Sequence, residues 1–299
     1  MSNQSGDSTG RAARGALFVV ATPIGNLEDI SPRAIKVLRE VALIAAEDTR
    51  RTGHLLQRFG LTTRTTSFHE HSLKGKTSVL LERLLAGDDV ALVSDAGTPG
   101  ISDPGDPLIR AAYDAGIRVT PIPGPSAAVT AVSASGFGGG GFIFLGFPPT
   151  KGSARAAWIA ALRAASAAVG AAVFYEAPHR IVDTLAQLRD ALGDIEVVIC
   201  RELTKIHEEV IHGSLGTLRL DEPRGEFTVV LNIGQIAAEL RTADALAVVT
   251  AEDLAREFRD LTENQQKTRR QAIAAIARKH QLQARDVYAR LEVAKSSGV

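Results

Sequence analysis

The sequence predicts an α/β protein made of two α/β domains followed by a C-terminal helical extension. Three observations carry this. From residue 17 onward, short aliphatic and β-branched runs alternate with helical patterns, the mark of βα units around a mainly parallel sheet. A glycine-rich stretch at 133–141, SASGFGGGG, interrupts that alternation and reads as a linker. After Gly234 the apolar spacing turns wholly helical.

Taken in order, residues 1–15 are rich in Ser, Gly, Asn and Arg with no apolar core, so they are expected to form a disordered tail. The first domain, 16–132, carries strands expected at 17–21, 43–46, 66–69, 90–94 and 118–122, with helices between them. Ser31 followed by Pro32 is a helix start whose apolar face is Ala34, Ile35, Leu38 and Val41; Asp106 followed by Pro107 is another, closed by Gly116. The second domain, 142–236, is again α/β, with strands expected at 142–146, 172–175, 195–200 and 227–232 and helices near 154–168 and 180–192. In the extension, 245–295, Ile273, Ile276 and Ala277 share one helical face, and Leu282, Val287 and Leu291 mark a following segment.

Composition narrows the function. The chain has 299 residues, 45% hydrophobic and 23% charged, with a mean hydropathy of +0.04, which places it among globular chains able to bury a core. No stretch approaches the roughly 18 apolar residues of a membrane span. With 34 Lys and Arg against 34 Asp and Glu, binding to nucleic acid through overall positive field is excluded, and any basic surface must be local. The single cysteine, Cys200, permits no internal disulfide; it reads as a buried strand residue in a reducing, cytoplasmic setting.

Several familiar patterns fail on context. Gly136, Gly138 and Gly141 spell G-x-G-x-x-G, but a strand follows them where a dinucleotide site needs a helix N-terminus. Gly75, Lys76 and Thr77 resemble the end of a phosphate loop whose first glycine would be Glu70, so a helix start with an exposed lysine is the better reading. His69 and His71 share a strand face with no third ligand nearby, so no metal centre is expected. Neither G-x-S-x-G nor HExxH occurs.

Three loops are unusual in one way: each follows a first-domain strand and is built from Gly, Pro and small hydroxyl residues. They are TPIGN at 22–26, DAGTPGISDPG at 95–105 and IPGPS at 122–126. In open parallel sheets ligands bind beyond the carboxyl ends of strands, so these loops can converge on one crevice. Glycine lets backbone approach a ligand closely, and proline fixes loop shape and reduces the entropy lost on binding. With few Lys or Arg among them, the ligand is expected to be neutral or zwitterionic, with Asp95 and Asp103 serving a ribose hydroxyl or an amino group.

At this point the residues match a family. TPIGNLEDIS from 22, AEDTR at 46–50, SDAGTPGISDPG at 94–105 and PIPGPSA at 121–127 closely resemble the tetrapyrrole-methylase superfamily of S-adenosylmethionine-dependent enzymes. GFPP at 146–149, FYEAPHR at 174–180, RELTK at 201–205 and GEF at 225–227 extend the resemblance over roughly 16–290. AEDTR, DAGTPG and RELTK point to its branch that acts on ribosomal RNA rather than on tetrapyrroles. The glycine-rich insert at 138–141 departs from the pattern.

The resemblance implies a dimeric two-domain methyltransferase with the cofactor in the cleft between domains, acting on the ribose 2′-oxygen of a cytidine in the decoding region of 16S rRNA in the small ribosomal subunit. By position, Pro23, Gly25, Asp95, Gly97, Thr98, Pro99, Gly100, Pro123, Gly124, Ser126 and Ala127 would line the S-adenosylmethionine pocket. Tyr175, Glu176, Gly225 and Glu226 would face it from the second domain. A ribose hydroxyl is a weak nucleophile, so a base or a cation near the emerging alkoxide helps; Asp48, His69, Glu176, Glu202 and Lys205 are the candidates, with no choice among them. For RNA, Arg50, Arg51, His54, Arg58 and Arg64 cluster on one helix and its exit, and Arg180 and Arg201 lie in the second-domain motifs. Residues 262–299 hold eight Lys or Arg against three Asp or Glu. The alternatives are a methyltransferase acting on a tetrapyrrole or other small molecule, and a non-catalytic ribosome-binding factor.

Overall fold

The computed structural model describes residues 14–69, 73–221, 223–238, 250–280 and 282–296. The tail expected at 1–15, apart from its last two residues, lies outside them, as do Glu70, His71 and the first residues of the extension expected from 245.

Five parallel strands form the first sheet: β1 (Ala16–Val20), β2 (Leu43–Ala46), β3 (Thr65–Ser67), β4 (Val90–Val93) and β5 (Arg118–Ile122). Their order is β3-β2-β4-β1-β5. The central strands are unbroken apolar runs because both faces are covered. Alternation splits them cleanly. Ile44, Ala46, Ala91 and Val93 pack under α1 (Pro32–Glu40) and α2 (Thr49–Arg58). Leu43, Ala45, Val90 and Leu92 pack under α3 (Leu73–Leu85) and α4 (Asp106–Asp114). The Ser31 hydroxyl accepts the Ala34 N–H at 3.1 Å with Pro32 in the first turn, so α1 starts where the sequence places it. Gly116, at φ +66°, closes the turn after α4.

The second sheet has the order β6-β7-β10-β8-β9, from β6 (Phe142–Phe144), β7 (Ala171–Glu176), β8 (Glu196–Arg201), β9 (Glu209–Ser214) and β10 (Phe227–Leu231). Only β6 and β7 run parallel; the other pairs are antiparallel. α6 (Gly152–Ala165) and α7 (Ile181–Leu192) cover one face, with Trp158, Leu162, Ile181 and Leu188 over Phe174, Val197, Ile199 and Val229. The other face is covered by α5 (Ala127–Ser135), whose Ala128, Ala131 and Val132 pack on Val173, Val198, Cys200 and Val230. Cys200 is fully buried in β8, as expected, and burial pushes its thiol up to about 11.

Four expectations change. The linker expected at 133–141 is shorter, because 133–135 complete α5 and Gly136 caps it in the left-handed region. α5 belongs by packing to the second sheet, although the boundary drawn from the sequence put most of it with the first. The strand expected at 66–69 is Thr65–Ser67, which leaves His69 beyond its end, and Gly75 to Thr77 lie inside α3, with half-buried Lys76 donating to the Thr66 hydroxyl at 3.0 Å. Strand β9 was not expected at all.

The C-terminal helices α8 (Ala251–Arg259), α9 (Arg269–Lys279) and α10 (Ala284–Ser296) enclose a core of their own, centred on Leu254, Ile276, Leu282, Val287 and Leu291. Thr250 and Thr268 each form a capping box at a helix start.

Candidate active site

The strand order reverses between β4 and β1, the place where open α/β sheets bind ligands. The three Gly/Pro loops therefore leave from the carboxyl ends of three neighbouring strands, β4, β1 and β5, and they are stitched together. The Thr22 N–H donates to the Gly97 carbonyl at 2.8 Å and the Gly97 N–H to the Thr22 carbonyl at 3.0 Å. The buried Thr22 hydroxyl donates to the Ser94 carbonyl at 3.1 Å. Gly97 sits at φ +82°, a conformation that costs an L-residue with a side chain about 1–2 kcal/mol.

Facing these loops is the second sheet. Its strand register sets Phe227 of β10 beside Glu176 of β7, so the exit of β7 and the entry to β10 form one wall, joined by Phe147 from the loop after β6. The α5 N-terminus closes the gap between the sheets with Ser126 and Ala127. Between the walls lies a cavity of about 400 Å³.

Four of the eleven residues expected to hold the cofactor line this cavity: Gly97, Thr98, Ser126 and Ala127. Pro23 and Asp95 line a smaller hollow of about 70 Å³ against Arg51 and Leu55. Pro99, Gly100, Pro123 and Gly124 belong to the same loops without lining the cavity; Gly124 packs on Ala21, and Gly100 lies against Asp106. Gly25 has a different reason to be glycine from the one expected. A Cβ there would lie 2.5 Å from Lys205 Cγ and 2.7 Å from the Thr204 hydroxyl, so it lets the first loop meet the RELTK loop of the second domain.

Tyr175, Glu176, Gly225 and Glu226 line the cavity, as expected. Sequence reasoning did not single out Ile101, Ser102, Phe147, Pro178 or Thr228. Ser102 has φ +63°, a strain that a serine in the sequence does not announce. Phe147 and Tyr175 form an edge-on ring pair at 5.5 Å.

The catalytic candidates separate by their partners. Asp48 caps α2 and pairs with Arg50 at 2.9 Å; the hydrogen bonds from the Arg50 side chain and N–H hold its carboxyl at about 2, and it does not line the cavity. His69 is exposed and outside the cavity. The Glu176 carboxylate is buried and accepts the Thr184 hydroxyl at 2.6 Å and the Ala177 N–H at 2.8 Å, with Arg180 at 3.4 Å. Lys205 donates to Glu202 at 2.9 Å and Glu226 at 3.0 Å. Burial opposes charge on Lys205, but those bonds outweigh it and raise its pKa, while the bond from Lys205 lowers that of Glu202.

Asp103 behaves differently. Burial first, then repulsion from Glu47 and Asp95, pushes its carboxyl up to about 6, with a Ser94 hydrogen bond partly offsetting the rise. It lines the cavity.

The arginines expected to meet RNA divide likewise. Arg50 is 87% exposed and Arg51 69%, both at the start of α2, where they face Asp48 and Asp95. Arg58 lies over the Phe59 ring, and Arg64 is exposed. Arg180 and Arg201 brace the fold: Arg180 donates to the Pro148 carbonyl at 2.6 Å, and Arg201 to the Arg224 carbonyl at 2.8 Å and Glu209 at 2.9 Å.

Comparison with known proteins agrees with this architecture. A family profile described as Tetrapyrrole (Corrin/Porphyrin) Methylases matches residues 16–219. The chain is 47% identical over 222 residues to a ribosomal RNA small subunit methyltransferase I of Synechocystis sp., covering 73% of this chain and 78% of that one. It is 45% identical over 252 residues to the protein of the same name from Escherichia coli O157:H7, covering 82% and 85%. The chain belongs to the ribosomal RNA small subunit methyltransferase I family of tetrapyrrole methylases. Among solved structures, a diphthine synthase superposes with a TM-score of 0.57 at 18% identity, covering 73% of this chain and 90% of that one, which is a likeness of fold. The family profile covers the first sheet and β6 to β9 of the second, so β10 and the helices α8 to α10 lie beyond it.

Proposed function

We propose that this protein transfers a methyl group from S-adenosylmethionine to the ribose 2′-hydroxyl of a cytidine in 16S rRNA, working in the cytoplasm as a homodimer on the small ribosomal subunit. The observation that carries the reading is the cavity formed jointly by the three first-sheet loops and the second-sheet wall, in a chain whose relatives bear the name of a ribosomal RNA methyltransferase.

The residues present fit that cofactor. The cavity volume lies within the range of small-molecule sites, and Ile24, Ala96, Ala127 and Phe227 give it an apolar lining suited to a nucleoside. Among the described residues no Lys or Arg lines it, so a cationic ligand meets no like charge there. Gly97, Thr98, Ser126 and Ala127 would hold the cofactor through backbone and hydroxyl groups. When bound, S-adenosylmethionine supplies an electrophilic methyl carbon on positively charged sulfur.

The chain's contribution is mainly positional. In-line displacement needs oxygen, methyl carbon and sulfur nearly collinear, and holding reactants so is worth about 7–11 kcal/mol. A general base adds about 10²–10⁴-fold. The Thr22–Gly97 hydrogen bonds and the Gly25–RELTK contact tie the loops of the cavity to each other and to the second domain. RNA is held from outside, with the exposed Arg50 and Arg51 at the start of α2, Arg51 paired with Asp95 of the second loop, as its first cations.

The test is incubation with labelled S-adenosylmethionine and under-modified small ribosomal subunits, followed by alkaline digestion. A labelled alkali-resistant dinucleotide supports the proposal, because 2′-O-methylation blocks cleavage at that linkage. Label on a tetrapyrrole instead, or cofactor binding with no transfer, contradicts it. Sedimentation velocity tests the dimer: a species at the mass of one chain contradicts that part.

A further inference from the structure

Four ionisable side chains line the cavity: Asp103, Tyr175, Glu176 and Glu226. Three are already committed. Glu176 is taken up by Thr184, the Ala177 N–H and Arg180, so its oxygens hold the start of α7 in place. Glu226 points to solvent and pairs with Lys205. Tyr175 is kept protonated, because burial and the nearby Asp103 charge raise its pKa above the ordinary 10, against the Ala128 N–H that lowers it. Asp103 has only the Ser94 hydroxyl, and among the described residues no arginine or lysine pairs with it.

Its position is also distinctive. Asp103 follows Ile101 and Ser102, the exposed residues of the rim, and Ile101 is 47% exposed. From the second domain Phe147, 57% exposed, also lines the cavity. Asp103 itself is half-buried and lines the cavity next to these exposed residues. Ser102, at φ +63°, holds that stretch in a strained conformation, and Gly146 of the opposite domain packs on its hydroxyl. The carboxyl thus lies on the cavity wall beside exposed lining residues of both domains.

We propose that Asp103 is the base that accepts the ribose proton during methyl transfer, an inference that rests on the ribose-methylation reading above. The hydroxyl oxygen forms a bond to the methyl carbon while the carbon–sulfur bond breaks and its electron pair stays on sulfur. The O–H proton moves to a carboxylate oxygen of Asp103 and passes to water afterwards. One positive charge on sulfur and one negative charge on Asp103 vanish together, so the step leaves no new charge in the cavity.

The surroundings suit this role. Glu47 from the end of β2 and Asp95 after β4 face Asp103 with like charge, Tyr175 faces it from β7, and Arg51 is held by Asp95. Asp106 stands at the start of α4 on the same loop. A base that takes protons near pH 6 is far better matched to a hydroxyl than Asp48, held at about 2.

The experiment compares wild type with Asp103→Asn in the intact chain, using under-modified small subunits for kcat and S-adenosylhomocysteine for calorimetry. The variant is expected to lose about 10²–10⁴-fold in kcat while binding S-adenosylhomocysteine within about threefold of wild type. Wild-type kcat should fall about tenfold per pH unit on the acid side, with its inflection at or below about 6, since a bound cation lowers the carboxyl's pKa; the residual rate of the variant should be flat. Unchanged kcat in the variant, or an acid limb that persists in it, overturns the inference alone. Loss of S-adenosylhomocysteine affinity matching the loss of rate also overturns it, making Asp103 a cofactor ligand. A wild type that methylates no ribose overturns the proposed function and this inference with it.

Discussion

Asp103 carries a cost that reveals its state. Its folded pKa of about 6 lies above the ordinary 3.8, so the folded protein binds the proton more tightly than the unfolded chain. The associated stability is fully present below about pH 4 and is lost as pH rises through 6. At pH 7.5 Asp103→Asn should therefore melt at a higher temperature than wild type, by the equivalent of about 1–2 kcal/mol after allowance for solvent screening. The gap should close toward pH 4. A variant less stable than wild type at pH 7.5 would show that the carboxylate is stabilised in the fold, contrary to this account. Other residue roles differ in how far the sequence discloses them. Cys200 was readable as buried because it ends the apolar run Val197 to Cys200. Arg180 and Arg201 were not readable as internal braces, since an arginine's partners here are carbonyls of Pro148 and Arg224, contributed by distant parts of the chain.

At the level of elements, the paired loops of the two domains matter more than any single strand. Gly25 and the RELTK loop touch so closely that Gly25→Ala would place a methyl 3.1 Å from the Leu203 carbonyl as well as against Lys205 and Thr204. That overpacking should cost about 1–3 kcal/mol, seen as a lower urea midpoint with unchanged slope, together with weaker S-adenosylhomocysteine binding as the loops separate. Unaltered stability and binding would mean that the two loops do not depend on each other. Strands β1, β2 and β4 were legible within a residue because buried parallel strands are continuous apolar runs, whereas β5, RVTPI with only Ile122 buried, was marked by its β-branched residues. β9 was not: Glu209 to Ser214 is an edge strand, bonded only to β8, with mixed exposure and a glycine, so neither alternation nor an apolar run marks it. α5 was missed because its sequence is nearly all small and apolar, without the amphipathic contrast that marks a surface helix.

For the whole molecule, convergence of the three Gly/Pro loops was foreseeable from their places after β1, β4 and β5, but the strand order that makes them neighbours is a property of the folded sheet. The opposite wall came from resemblance, and Phe147 and Thr228 needed coordinates, because they meet the first domain only through long-range packing. Balanced net charge predicts a further property. If RNA is held by local cations while the cofactor sits in a cavity that no Lys or Arg among the described residues lines, raising salt should weaken subunit binding steeply and leave S-adenosylhomocysteine affinity nearly unchanged. Replacing Arg50 and Arg51 by alanine should reduce the salt slope by about 0.7–0.9 for each phosphate that is no longer neutralised. Equal salt sensitivity of both ligands would contradict this division of labour.

The central claim is that the cavity between the two sheets receives the methyl donor. Titration calorimetry with S-adenosylhomocysteine on the wild-type chain and on Ala127→Trp, whose indole would fill the cavity at the α5 N-terminus, tests it most directly. Saturable binding of one ligand per chain that disappears in the filled variant is the predicted result. No heat from the wild type, or undiminished binding in a folded Ala127→Trp, would contradict it.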